Sequence, residues 1–176
     1  MKPVFETRRI RFVRVSEELV KDYLAMVNDP EHVGRFIGGR TEPVSEEKEI
    51  RWVREKIAEK AVLFSMLEKD SGDFIGNIEL MDVKDAAAEL GIALTAEKQD
   101  CGFGTEAIPA LLAYGRTRLG LKRVFLKVYP DNLRAIHVYE KCGFREFDRT
   151  DKDVFMEIFL PEPEPLRESE GADPEN

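Results

Sequence analysis

Cysteine and histidine are scarce in this chain, with two of each in 176 residues. Cys101 and Cys142 form no disulfide framework and no metal-ligand spacing, so the expected state is two reduced thiols and no metal site. His32 and His137 are weak candidates for a catalytic base, and a surface or packing role suits His137 better. No apolar run approaches the ~20 residues of a membrane span. Residues 1–15 carry scattered arginines and no apolar core, so no signal peptide is read there and the cytoplasm is the expected compartment. No basic stripe interleaves with aromatic residues, which argues against a nucleic-acid partner. No internal repeat is present.

The hydrophobic share of 43% fits a globular chain, and the length suits one domain with a sizeable core. Acidity is a property of the C-terminal end. Residues 161–176 hold six acidic side chains against Arg167, which accounts for five of the eight net negative charges. That stretch is rich in Pro and Glu and poor in apolar groups, so residues 1–160 read as the domain and 161–176 as a disordered acidic tail.

Residues 10–15 alternate apolar and basic side chains and predict a strand. Ser16 suits the N-cap of a helix over 17–28, ended by Asp29-Pro30. Ser45 suits the cap of a helix over 46–59 with Ile50, Val53 and Ile57 on its buried face. Strands are predicted over 61–68, 74–83 and 88–94, and a helix over 105–119 ended by Gly120. Pro109 falls early in that helix and predicts a bent or loosened first turn. A strand over 123–129, a helix over 133–141 and a closing hairpin of 144–148 with 154–160 complete a mixed α/β sandwich.

Between the strand at 88–94 and the helix at 105–119 the chain reads Gln99-Asp100-Cys101-Gly102-Phe103-Gly104. A strand that turns through glycines into a helix start aims several free N–H groups at one point, where the helix dipole adds positive charge. Gly102 and Gly104 let backbone approach an anion with no Cβ in the way. The loop therefore suits a phosphate, or else is a flexible turn that caps a helix. A second segment follows the next strand: Asn132-Leu133-Arg134-Ala135-Ile136-His137-Val138-Tyr139-Glu140-Lys141-Cys142-Gly143-Phe144.

Together these segments resemble the GNAT N-acetyltransferase superfamily. Its acetyl-coenzyme A motif, Gln/Arg-x-x-Gly-x-Gly/Ala, falls on Gln99, Gly102 and Gly104. Its second signature falls on Asn132, Ala135, Tyr139, Glu140, Gly143 and Phe144. The segments 6–14, 28–31 and 88–91 are similar to the branch that contains ribosomal-protein N-acetyltransferases. The resemblance implies an α/β (α+β) fold with a mixed, mostly antiparallel central sheet of about seven strands, splayed at the acetyl-CoA site and flanked by about four helices. It implies transfer of the acetyl group of acetyl-CoA to a primary amine by direct attack in a ternary complex. The amine could be a small molecule or a protein N-terminus, and the protein a monomer or homodimer.

Residue by residue, the resemblance implies cofactor contacts at Ile92, Ala93, Leu94, Gln99, Cys101, Gly102, Phe103, Gly104, Thr105, Asn132, Ala135 and Tyr139. A free N–H near Leu94 would polarise the thioester carbonyl, and Tyr139 would protonate the leaving thiolate. By its spacing alone, Tyr139 is equally a packing residue of an amphipathic helix. For the base, Glu89 and Glu79 each sit in an apolar strand where burial raises a carboxylate's pKa, and Glu89 comes first because Ala88-Glu89-Leu90-Gly91 matches a recurring segment of the resembled branch; a water relay or an already neutral amine would need neither. Asp100 and Cys101 depart from the family pattern, which commonly has Gly and a basic residue there. Asp100 would repel a pyrophosphate unless its side chain points to solvent, and Cys101 could form a mixed disulfide with coenzyme A. Asp100 also favours the competing class, a non-catalytic coenzyme A-binding sensor or partner module. Polyamine acetylation carries a similar Tyr-Glu-x-Cys-Gly-Phe signature, yet the segment from Gly34 to Arg40 is basic where a polycation site should be acidic.

Overall fold

The structure is a computed structural model that describes residues 1–37 and 42–162. Most of the acidic tail and the Gly38–Arg40 end of the basic segment lie outside the described residues. Eight strands form one open sheet: β1 (Phe5–Glu6), β2 (Ile10–Arg14), β3 (Val62–Glu68), β4 (Phe74–Lys84), β5 (Ala87–Leu94), β6 (Arg123–Val128), β7 (Arg145–Arg149) and β8 (Val154–Phe159). The spatial order is β1-β2-β3-β4-β5-β6-β8-β7, and all neighbours are antiparallel except β5 and β6. The extra strand beyond the expected seven is β1, whose two residues are too short to leave a period-2 pattern.

Among the described residues there are four α-helices: α1 (Val20–Val27), α2 (Glu46–Ala58), α3 (Phe103–Leu119) and α4 (Leu133–Lys141). The larger core lies between the sheet and α3–α4, with Phe12, Phe64, Ile78, Leu80, Ala88, Leu90, Val124 and Leu126 facing Phe103, Ile108, Leu111 and Tyr139. A smaller core on the opposite face packs Tyr23, Met26 and Val53 of α1 and α2 on Val13 and Phe74.

Local chemistry explains the helix boundaries. The Ser16 hydroxyl accepts from Glu18 N, but the first turn, Glu17–Leu19, is 3-10, so the regular helix starts at Val20. The Ser45 side chain accepts from Lys48 N and starts α2 as expected. The predicted buried stripe of α2 is rotated: Ile57 is 50% exposed, while Glu49 and Val53 are buried and Trp52 packs on the smaller core. The stripe follows the i, i+3, i+4 positions of Glu49, Trp52 and Val53, because Tyr23 and the sheet reach α2 on that side. Helix α3 starts two residues earlier than expected, so Pro109 is its seventh residue. The helix runs unbroken through it, and the cost is the lost donor to the Thr105 carbonyl rather than a loosened first turn.

Candidate active site

The parallel strands β5 and β6 pair only at Ala87↔Arg123, Ala88↔Val124 and Glu89↔Phe125. Beyond that point they diverge, while β5 stays paired with β4 as far as Gly76↔Leu94. An antiparallel ladder alternates the direction of its backbone groups. Thr95 N donates to Ile75 O at 3.0 Å, so the next groups in register, those of Leu94 and Ile92, turn away from β4 into the splay. Ala93 instead faces Asn77 in the ladder, so its backbone groups are turned to β4 rather than to the splay. Gly76 makes the arrangement possible: its φ is +154°, and a Cβ there would stand 2.0 Å from Ala93 O.

The end of β5 runs through a 3-10 turn, Ala96–Lys98, into the glycine loop. Gln99 Nε2 donates to Leu94 O at 2.9 Å and to His32 O at 3.3 Å, which ties the loop to β5 and to the segment after α1. Its Oε1 is buried without a partner among the described residues. Gly102 caps α3 in the left-handed region at φ +79°, and no side chain caps the helix with it. The first-turn N–H groups of Phe103, Gly104 and Thr105 therefore have no intrahelical acceptor, and they sit at the positive end of a 17-residue dipole. A Cβ on Gly104 would stand 3.4 Å from Val138 Cγ1 and 3.8 Å from Leu94 Cδ1, so that glycine keeps α3 close to both α4 and β5. This cradle fits the diphosphate of a coenzyme, and the splay beside it fits an extended amide-bearing arm.

The loop is braced from behind. Arg9 donates from N and Nε to Glu106 at 2.8 and 2.7 Å and from Nη1 to Cys101 O at 3.0 Å, and its guanidinium lies over the Phe103 ring. The Thr7 hydroxyl donates to the same Glu106 at 2.6 Å. Burial works against the Glu106 charge, but these donors outweigh it and hold the carboxyl below its ordinary range. Cys101 is exposed, with its Sγ 3.8 Å from Glu97 O. Asp100 adopts φ +57° and is paired with Arg134 Nη1 at 3.1 Å, so its carboxylate is directed to an exposed cation rather than left alone.

Asn132 caps α4 by accepting from Ala135 N at 3.3 Å. Seven residues on, Tyr139 is 7% exposed and packs against Phe144. Burial pushes its phenol up to about 12, so it holds its proton at neutral pH and has one to give. Its hydroxyl has no hydrogen-bond partner among the described residues.

The other face of the sheet carries the carboxylates. Glu79 stands opposite Gly91 in the β4–β5 ladder, and a Cβ on Gly91 would lie 3.2 Å from Glu79 Oε1, so the glycine leaves room for the carboxyl. Burial raises the Glu79 pKa, with Lys56 of α2 opposing and Glu89 adding to the rise. Nearby, Tyr23 Oη and Ser65 Oγ share a hydrogen bond of 2.7 Å, and Ser65 donates to Asn77 Oδ1 at 2.9 Å. Beyond the end of β6 an open cavity of about 430 Å³ is lined by Arg35, Phe36, Tyr129, Pro130, Asp131, Asp151 and Lys152.

The structure thus brings Ile92, Leu94, Gln99 and the 102–105 turn to one end of the splay, with Asn132 and Tyr139 on α4 across from it. Glu79 and Glu89 lie on the opposite face of the sheet from Tyr139. His137 is exposed. Sequence reasoning missed the Arg9–Glu106 brace and the Tyr23–Ser65–Asn77 chain. An acidic residue in the first turn of α3, and single polar residues within otherwise apolar strands, were their signals.

The family model described as Acetyltransferase (GNAT) domain matches residues 9–145. Spermidine N(1)-acetyltransferase of Vibrio cholerae is 32% identical over 93 residues, covering 52% of this chain and 54% of that protein. The Escherichia coli K12 protein of the same name is 36% identical over 75 residues, covering 42% and 40%. The chain spans about half the length of the curated relatives it matches. The crystal structure of spermidine N-acetyltransferase from Vibrio cholerae in complex with CoA and spermine superposes with a TM-score of 0.76 at 21% identity, covering 87% of this chain and 96% of that one. That likeness establishes a shared fold.

Proposed function

The chain belongs to the GNAT acetyltransferase family, and from that premise we propose that it moves the acetyl group of acetyl-CoA to a primary amine by direct attack in a ternary complex. The observation that carries this reading is the inner edge of β5 left unpaired by β6, where Ile92 and Leu94 turn their backbone N–H groups toward a splay that ends at an uncapped helix start, the Leu94 carbonyl being held by Gln99. The first-turn N–H groups of α3 hold the diphosphate, and Gly102 and Gly104 give it access. The N–H of Leu94 or Ile92 polarises the thioester carbonyl. A neutral amine attacks that carbon from the carboxylate-bearing face. Glu79 accepts the proton that the nitrogen loses, Tyr139 gives a proton to the departing sulfur as the carbon–sulfur bond breaks, and both groups re-equilibrate with solvent. Glu79 is preferred to Glu89 because burial raises its pKa toward that of a working base.

The cavity beyond β6 is the acceptor mouth in this reading. Asp131 and Asp151 suit a cationic amine, while Arg35, which approaches Asp131 at 3.9 Å, and Lys152 set the site apart from a purely acidic polycation groove. The competing sensor reading drew on Asp100 as an obstacle to phosphate binding; Asp100 is paired with Arg134 in the empty site, so its charge does not by itself exclude a phosphate. The cytoplasm, with Cys101 and Cys142 as reduced thiols, is the compartment that fits. The test is thiol release from acetyl-CoA over a panel of polyamines, amino acids, antibiotic amines and peptides with free N-termini. Amine-dependent release by at least one class is expected. Tight coenzyme A binding with no release over the whole panel would leave the sensor reading standing instead.

A further inference from the structure

Asp100 is the residue of the phosphate loop that neither the fold nor the reaction calls for. Its φ of +57° is a conformation that side-chain-bearing residues rarely adopt, and its charge has the same sign as the ligand the loop is built to hold. The carboxylate is bound to Arg134, the second residue of α4, at 3.1 Å. The pair links the loop before the Gly102 cap of α3 to the first turn of α4, and both side chains are open to solvent, Asp100 at 73% and Arg134 at 41%. The other guanidinium at the loop, that of Arg9, is engaged by Glu106 and the Cys101 carbonyl.

Resting on the cofactor reading above, we propose that Arg134 is a ligand for the coenzyme's phosphates and that Asp100 is a built-in competitor that holds it in the empty site. Magnitudes favour the exchange. An exposed carboxylate–guanidinium pair shifts an equilibrium by about fivefold at most. A phosphate brings more charge and a fork-shaped acceptor geometry, and it is seated at the same time on the α3 dipole. Arg134 therefore leaves Asp100 when the coenzyme binds. Breaking the Asp100–Arg134 pair is a cost of each binding event, and that cost weakens retention of the coenzyme. The family's common glycine at this position would hold no cation back.

The experiment is calorimetric titration of coenzyme A into the full chain and into Asp100→Asn, Arg134→Gln and the double variant, each first shown to melt as the wild type does without ligand. Asp100→Asn should bind about two- to fivefold more tightly, and Arg134→Gln about three- to tenfold more weakly. The double variant should match Arg134→Gln, because Asp100 acts by occupying Arg134. Pantetheine, which lacks the phosphates, should bind all four proteins alike. Tightening by Asp100→Asn that persists in the Arg134→Gln background would mean simple repulsion and overturn the exchange. Wild-type affinity in Arg134→Gln would remove Arg134 as a ligand. Wild-type protein that binds no coenzyme A at millimolar concentration would instead overturn the cofactor reading itself.

Discussion

The two faces of the sheet meet at the splay between β5 and β6, and they are built from different material. On the α3–α4 face the site is mostly backbone: the turned-out groups of Ile92 and Leu94 and the uncapped first turn of α3. On the α1–α2 face it is side chains: Glu79 over Gly91, Lys56 from α2, and the Tyr23–Ser65–Asn77 chain. Backbone can hold a fixed ligand whatever side chains surround it, provided glycine and a helix start fall at the right places. A face made of side chains can be rewritten without disturbing that arrangement. In the proposed reading cofactor and acceptor fall under separate structural control, and substitutions should divide accordingly.

The largest expected effect lies on the α3–α4 face, at the buried tyrosine of α4. Tyr139→Phe keeps the ring and its packing on Phe144 and removes only the hydroxyl. The turnover number should fall by roughly 10²–10⁴-fold, with a near-constant Michaelis constant for acetyl-CoA. Near-normal turnover on an amine for which chemistry limits the rate would make Tyr139 a packing residue. Glu79→Gln should flatten the acidic limb of the same enzyme's pH–rate profile, which in the wild type lies above the ordinary carboxylate range because burial raises that group.

A second substitution isolates the cofactor face. Coenzyme A at a hundredfold excess over its dissociation constant should stabilise the chain by about 2.7 kcal/mol. Gly104→Asp puts bulk and negative charge at the helix start and should abolish the rise in melting temperature, whereas Gly104→Ala, whose Cβ meets Val138 at 3.4 Å, should keep most of it. Equal loss in both variants would show that packing of α3 on α4, not the phosphate seat, is what Gly104 protects.

The same contrast explains what could be read in advance. The helix start, Gly102, Gly104 and the Asn132 cap were legible because backbone sites need particular residue types at fixed spacing. The choice between Ala93 and its neighbours was not, since both alternations look alike until the β4 register is known. Ile57 was misplaced because α2 is apolar on more than one flank and only Tyr23 and the sheet decide which turns inward. Tyr23, Ser65 and Asn77 come from three separate elements, and no spacing in one chain announces such a meeting. The Arg9–Glu106 brace spans 97 positions, and no local pattern around either residue announces it.

Ser65→Ala tests the side-chain face without touching the splay. Ser65 is fully buried and bonded to both Tyr23 and Asn77, so its loss leaves polar groups without a partner. A cost of about 1–3 kcal/mol in unfolding free energy is expected. Among molecules that stay folded, the Michaelis constant for the amine should rise while that for acetyl-CoA holds. A shift in the acetyl-CoA constant alone would break the proposed division of labour between the faces.

The smallest effect is on stability, and its sign distinguishes a buried base from a solvated one. In the folded chain burial keeps Glu79 protonated to a higher pH than in the unfolded chain. A raised folded pKa contributes stability that is fully present below the unfolded value and is lost as pH rises through the folded value. Above both, the ionised carboxylate is a net cost that the nearby Lys56 charge offsets only in part. Glutamine has no proton to lose, so Glu79→Gln should match the wild type at acid pH and become the more stable protein as pH rises to neutrality. Urea midpoints measured at several values between about pH 4 and pH 8 would follow the crossover. Parallel curves for the two proteins would mean that Glu79 titrates as a solvated carboxylate, and the base would then have to be Glu89 or water.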